Sequence, residues 1–353
     1  MKAKWFFSSV LALAQTAVLV APASAQEITI SGGGGILTEI VTDVYDLPFT
    51  KATGIKVKSI PTTNRESALR AMQVAGNTIW DITELSGAEY TIASQSGWLI
   101  PLDWAKIDPQ NRIAREHRTP DAIPYTSFAH TLGYRADKAP AGKKMTGWVD
   151  FWDVKSFPGP RGLRDLPEAN LEFALIADGV ALKDIYSVLS TPRGVDRAFA
   201  KLDQIKPHIT LWYKTSGQPG QALKDGEVFY TSAPNGRFTI LQDEGKIPVE
   251  IVWNGGAHTR GYWAAVKGTK HQEATMKWLA FFIESPERAA AFANKIPYPG
   301  YTAGMLPLLS PEKQKIMPTY PANLAGQFNL DEVFWAANRR VITERWQAWL
   351  AKR

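Results

Sequence analysis

Glu27-Ile28-Thr29-Ile30-Ser31-Gly32-Gly33-Gly34-Gly35 decides the fold class, because a glycine turn here joins two different periodicities. Residues 27–30 alternate polar and apolar like a strand, and residues 36–49 carry apolar side chains at helical spacing. The pattern then repeats. Residues 55–60 alternate as a second strand; Leu69, Met72 and Ala75 mark one face of a helix stopped at Gly76-Asn77; residues 79–85 form a third strand. A helix over 88–96 leads into Gly97-Trp98-Leu99-Ile100-Pro101-Leu102. Strands alternating with helices predict an α/β fold with a mostly parallel sheet covered on both faces.

The texture changes near Thr131. Pro140-Ala141-Gly142-Lys143-Lys144 is a polar connector, and Pro158-Gly159-Pro160 and Pro167 punctuate short segments, so a second lobe is expected here. Its helices span 195–205 and 218–223, with strands near 227–232 and 249–252 and a separate alternating strand over 261–266. A helix over 272–283 buries Thr275, Trp278, Leu279 and Phe282. Ser285-Pro286-Glu287 starts another, with Ser as N-cap and Pro in the first helical position. A long final helix, residues 331–352, carries the apolar stripe Ile342, Trp346, Trp349 and Leu350.

The first 25 residues read as a secretory signal. Lys2 and Lys4 give a positive start, residues 5–20 are mostly apolar, and Ala23-Ser24-Ala25 is a small-residue cleavage site before Gln26. Ser8, Ser9, Gln15 and Thr16 interrupt the apolar run, which falls short of the roughly 20 residues a membrane span needs. The mature chain is therefore expected outside the cytoplasm, soluble, with about 328 residues, enough for two domains. Absence of cysteine excludes a disulfide scaffold, a thiolate metal site and a cysteine nucleophile. The net charge of +6 is spread without a basic block, so no nucleic-acid partner is expected. Among 13 tryptophans, some belong to the core and others suit the wall of a cleft for a small solute.

Catalytic chemistry has little to stand on. Gly32 to Gly35 lacks the Lys-Ser/Thr pair of a phosphate loop, although its backbone amides at a helix start suit an anion. There is no Gly-x-Ser-x-Gly elbow, and His117, His130, His208, His258 and His271 show no zinc spacing, so neither enzyme activity, metal nor cofactor is expected. The competing reading is a secreted hydrolase with an unrecognised active site.

A succession of short motifs carries a resemblance. Phe49-Thr50-Lys51-Ala52-Thr53-Gly54-Ile55-Lys56-Val57 is followed by Ile123-Pro124-Tyr125, Leu132-Gly133-Tyr134 and Thr146-Gly147-Trp148-Val149-Asp150-Phe151-Trp152. Then come Gly226-Glu227-Val228, Asn235-Gly236 and Ile296-Pro297-Tyr298-Pro299. In this order the chain resembles the periplasmic spermidine/putrescine-binding proteins from about Ile28 to its end. The resemblance implies a type II-like periplasmic-binding-protein fold whose two α/β lobes close on a solute and deliver it to the membrane permease of an ABC transporter. The expected division is 1–25 signal, 26–133 first lobe, 134–261 second lobe, 262–308 first lobe again, and 309–353 C-terminal helices packing back across both. A monomer is expected, with a chemoreceptor as a possible second reader of the closed form.

Where the polyamine binders place carboxylates early in the second lobe, this chain has Leu166 and Ala169, and where a later carboxylate is usual it has Tyr262, with Arg260 in an aromatic's place. Pro234 and Ser127 stand for pocket tryptophans, and Tyr298 matches a pocket aromatic. Fewer acids and an added arginine favour a zwitterionic amine such as γ-aminobutyrate over a bare polyamine, because Arg260 or Arg237 can pair a carboxylate bidentately. The candidate ligand-binding residues are Gly33, Gly34, Ser86, Arg237, Arg260, Tyr262 and Tyr298; Asp165, Glu168 and Glu172 are the carboxylates that a shift in register would bring to the cleft.

Overall fold

A computed structural model describes Met1 and residues 26–352 apart from 63 and 246; the export signal and its cleavage site lie outside the described residues. Among the described residues nine strands form one continuous sheet: β1 (Glu27–Gly32), β2 (Lys56–Pro61), β3 (Ile82–Ser86), β4 (Ala122–Arg135), β5 (Arg161–Arg164), β6 (Ile209–Tyr213), β7 (Tyr230–Pro234), β8 (Val249–Ala265) and β9 (Phe328–Asn329). Their order is β2-β1-β3-β8-β4-β7-β5-β6, with β9 pairing β8. At one end β1, β2 and β3 are parallel, and at the other β5 is parallel to β6 and β7. Between these blocks β4 and β8 run antiparallel to each other and to their outer neighbours.

The α/β reading thus holds, but the centre differs from expectation. The strands expected separately near 249–252 and 261–266 are one 17-residue strand. Gly255 adopts φ 75°, and the register of the facing β4 shifts between His130 and Leu132, so a bulge absorbs the irregularity without ending the ladder. β4, a 14-residue strand, escaped the reading because twelve of its positions are buried and no alternation shows. It reads only as Ile-Pro-Tyr and Leu-Gly-Tyr motifs.

Each end of the sheet carries its own core. Ile28, Ile30, Phe49, Ile82, Trp263, Trp278 and Phe282 fill the first, and Trp148, Phe151, Leu163, Phe173, Phe199 and Trp346 the second. β4 supplies both, Ile123 and Tyr125 to one and Leu132 and Tyr134 to the other. The changeover therefore lies inside two strands and not in loops. Thr275, Trp278, Leu279 and Phe282 are buried, and Ser285 Oγ accepts the Arg288 amide at 3.1 Å, capping its helix.

The C-terminal helix runs Glu332–Ala351, with Asp331 accepting the Val333 and Phe334 amides at 3.0 and 2.8 Å. Its indoles bury their rings and spend their N–H groups on carboxylates of the second core. Trp335 donates to Glu172 at 2.7 Å, Trp346 to Asp165 at 3.1 Å and Trp349 to Asp203 at 2.6 Å. Trp346 also meets Trp212 edge-on, its ring centroid 5.6 Å away. Trp346→Ala should cost about 3–5 kcal/mol in urea melts, since it opens a cavity and orphans Asp165, whereas Leu306→Ala on the surface should stay within about 0.5 kcal/mol.

Candidate functional site

The C-terminal ends of β1 and β3, the crossing of β4 with β8, and the N-terminus of the helix after β7 converge on one region, where open α/β sheets hold ligands. On the first-core side, Glu84 accepts the Gly33 amide and the Tyr125 hydroxyl, both at 2.6 Å. Gly34 sits at φ 75° with Pro61 blocking any Cβ. The glycine turn therefore meets an internal carboxylate, which corrects the expectation that the Gly33 amide is open to an external anion. Ser86 caps the helix Gly87–Gln95: its amide and hydroxyl both donate to Glu89 at 2.9 Å. Burial works to raise the Glu89 acid, but Arg65, 3.2 Å away, Arg339 and the Ser86 bonds bring it down to about 2.

Beside Ser86, in register with Gly261 of β8, lies a second charged group. Glu332, in the first turn of the C-terminal helix, accepts the Tyr262 hydroxyl at 3.1 Å and Arg260 Nε at 3.3 Å. Its side chain fills the space that a Cβ on Gly87 would take. Burial raises the Glu332 acid, with Arg260 and Tyr262 opposing. Tyr262 is itself a core residue, stacked on Tyr90 at 4.4 Å between centroids, so only its hydroxyl reaches the group. The Arg260 side chain remains 38% exposed, and among the described residues only its Nε is engaged.

One residue further along the same face, Ser127 Oγ and His258 Nε2 lie 2.5 Å apart, and His258 Nδ1 is 3.0 Å from Asn329 Oδ1. The row has the order of a nucleophile, base and orienting amide. Ser127 is nevertheless buried, and its backbone N–H, the donor such chemistry would aim at an oxyanion, is given to Pro299. The row instead ties β4, β8 and β9 together.

Facing the helix after β7, buried Tyr298, which belongs to the first core, packs on Phe128 at 5.4 Å between centroids and against Gly236, where a Cβ has no room. Burial pushes its phenol up to about 12, with Arg237 pulling the other way. The Arg237 Nη2 donates to Ser216 Oγ at 3.0 Å, while its Nε is buried without a partner among the described residues. Half-buried Arg164, at the end of β5, has no carboxylate within salt-bridge distance among the described residues; its charge and, above all, burial take His130 down to about 3.

Two of the three alternative carboxylates belong elsewhere. Asp165 accepts Trp346, and Glu172, fully buried, accepts Tyr186 at 2.8 Å as well as Trp335; both hold the C-terminal helix. Glu168 is half-buried on the same loop, beside Ala169 at φ 72°. Sequence reading missed Glu84, Arg164 and Glu332. Glu84 lies in the middle of β3 and Arg164 at the end of β5, where a side chain's direction depends on register, and Glu332 arrives from 70 residues beyond Tyr262.

Burial lifts the Glu172 acid to about 7 and the Asp46 acid to about 6, against ordinary values near 4 in the unfolded chain. The folded state holds these protons more tightly, so their stabilisation is full below about pH 4 and lost as pH rises through 6 to 7. Glu172→Gln should flatten the fall in melting temperature between pH 5 and 8 relative to the unmodified chain. Equal slopes for the two proteins would contradict this.

Among the described residues no three His, Cys, Asp or Glu side chains cluster as a metal site, and no helix is long and apolar enough to cross a membrane. The family model for bacterial extracellular solute-binding proteins matches residues 46–321. The chain is 35% identical over 333 residues to a gamma-aminobutyric acid-binding protein of Pseudomonas aeruginosa, covering 94% of this chain and 93% of that one. A putrescine-binding periplasmic protein of the same species is 24% identical over 294 residues, 78% of this chain and 79% of the relative. A solved GABA receptor structure superposes with a TM-score of 0.82 at 29% identity, over 93% of this chain and 98% of that chain.

Proposed function

The chain belongs to the bacterial extracellular solute-binding proteins and is the solute-binding component of an ABC importer, not an enzyme; on that premise we propose that its cleft takes a short zwitterionic amine of the γ-aminobutyrate type. The observation that carries this reading is the sign of the charges. The side of the first core offers Glu84 and Glu332, and the side of the second offers Arg164 and Arg237, neither paired with a carboxylate among the described residues. A diamine needs anions at both ends. Here Asp165 and Glu172, the acids that would serve its far end, are spent on indoles. A zwitterion satisfies both walls, its ammonium at Glu332 and its carboxylate at Arg260 and Arg237, with Tyr298 and Phe128 beside the methylenes. The higher identity to the γ-aminobutyrate binder than to the putrescine binder agrees with this assignment.

In this reading the first lobe is 26–133 with 262–308, the second 134–261, and they close about β4 and β8. Gly33, Gly34 and Ser86 shape the rim rather than grip the solute, and Tyr262 acts through Glu332. The chain is exported with cleavage near Ala25, works as a monomer in the periplasm and docks on its permease when closed.

Isothermal titration is expected to show γ-aminobutyrate binding at least tenfold more tightly than putrescine. Arg237→Ala should cost about 2 kcal/mol or more for γ-aminobutyrate, roughly thirtyfold in Kd, because a buried carboxylate loses its partner. Tight putrescine binding that γ-aminobutyrate cannot displace would overturn the assignment.

A further inference from the structure

The ion pair between β8 and the C-terminal helix occupies the place where an amine would bind. Glu332 is 16% exposed, seated on Gly87 and held by the Tyr262 hydroxyl, so its carboxylate is fixed while its partner is not. Arg260 touches it through Nε alone, at 3.3 Å, and keeps both terminal nitrogens free among the described residues. Its guanidinium lies 5.7 Å from the Tyr262 ring centre, on a stem that can swing over that ring.

Removing one member of a partly buried pair costs more than the pair contributes, because the other charge is left without a partner. An ammonium that takes Glu332 must displace Arg260. If the solute carries a carboxylate a few methylenes away, the released guanidinium has a new partner in its bidentate geometry. If the solute is a diamine, Arg260 is left facing a second cation.

We infer that Arg260 is the selectivity gate of the cleft: lying on Glu332, it closes that carboxylate to bare amines and yields only to a solute whose own carboxylate takes the guanidinium in exchange. The gate rests on the zwitterion reading above and sharpens it, since it assigns rejection of diamines to a repulsive element and not merely to missing acids.

The test is titration of the full mature chain and of Arg260→Met, Glu332→Gln and the double variant with γ-aminobutyrate and with putrescine, folding being checked by thermal melts. Methionine keeps the stem over Tyr262 and removes the charge. Arg260→Met is expected to weaken γ-aminobutyrate at least tenfold and to strengthen putrescine at least tenfold. In the double variant the putrescine gain should vanish, which locates it at Glu332. Loss of γ-aminobutyrate binding without any putrescine gain would make Arg260 a simple contact and overturn the gate. Unchanged binding of both would place Arg260 outside the site and overturn it as well. If the unmodified chain ignores γ-aminobutyrate yet Arg260→Met gains putrescine, the gate stands and the assignment of γ-aminobutyrate as the solute falls.

Discussion

Two antiparallel strands that must each serve two cores are the constraint from which the remaining architecture follows. β4 and β8 carry apolar side chains into one core at one end and into the other at the opposite end, so the sheet cannot be cut into independent halves without breaking both. Where the changeover occurs, register shifts at Pro124/Thr126 and His130/Leu132 loosen the ladder, and Gly255 supplies the left-handed backbone that an L side chain resists. A sheet bends most readily where its hydrogen-bond pattern is already interrupted. In the function proposed above, the same place serves as the hinge and the floor of the cleft.

The C-terminal segment is fastened along β8 beside these irregularities. β9 adds a short parallel rung to β8, His258 meets Asn329, and Arg260 and Tyr262 meet Glu332, so alternate β8 side chains are tied to one strap. The helix behind the strap is anchored on the second core by three indole-carboxylate bonds, while Glu332 rests on Gly87 at the start of the helix after β3. On the proposed reading, closure, ligand charge and strap position are coupled through Glu332. Asp165 and Glu172, two of the carboxylates that a shift in register would bring to the cleft, are here spent on fastening this helix.

Much of the frame could be read from the chain because local rules and tertiary packing agree there. The strand-glycine-helix opening, the Ser285 cap and the Trp346 stripe all form as their residue patterns require. β4 and the continuity of β8 could not be read so: strands buried on both faces show no alternation, and the ladder survives a bulge in β8, where residues 253–256 lie opposite Thr131 of β4. At the site, residue type was legible and pairing was not. Arg260, Arg237 and Tyr298 stand out as chemistry in the chain, but that Glu332 sits on Arg260 depends on how a helix 70 residues later packs, and that Glu84 satisfies Gly33 depends on the register of β3 against β1.

The hinge makes its sharpest demand on shape. Small-angle X-ray scattering of the mature chain, with and without saturating γ-aminobutyrate, reads it directly. Closure about β4 and β8 predicts a smaller radius of gyration in the liganded sample at unchanged mass. An unchanged radius of gyration with the ligand demonstrably bound would contradict it.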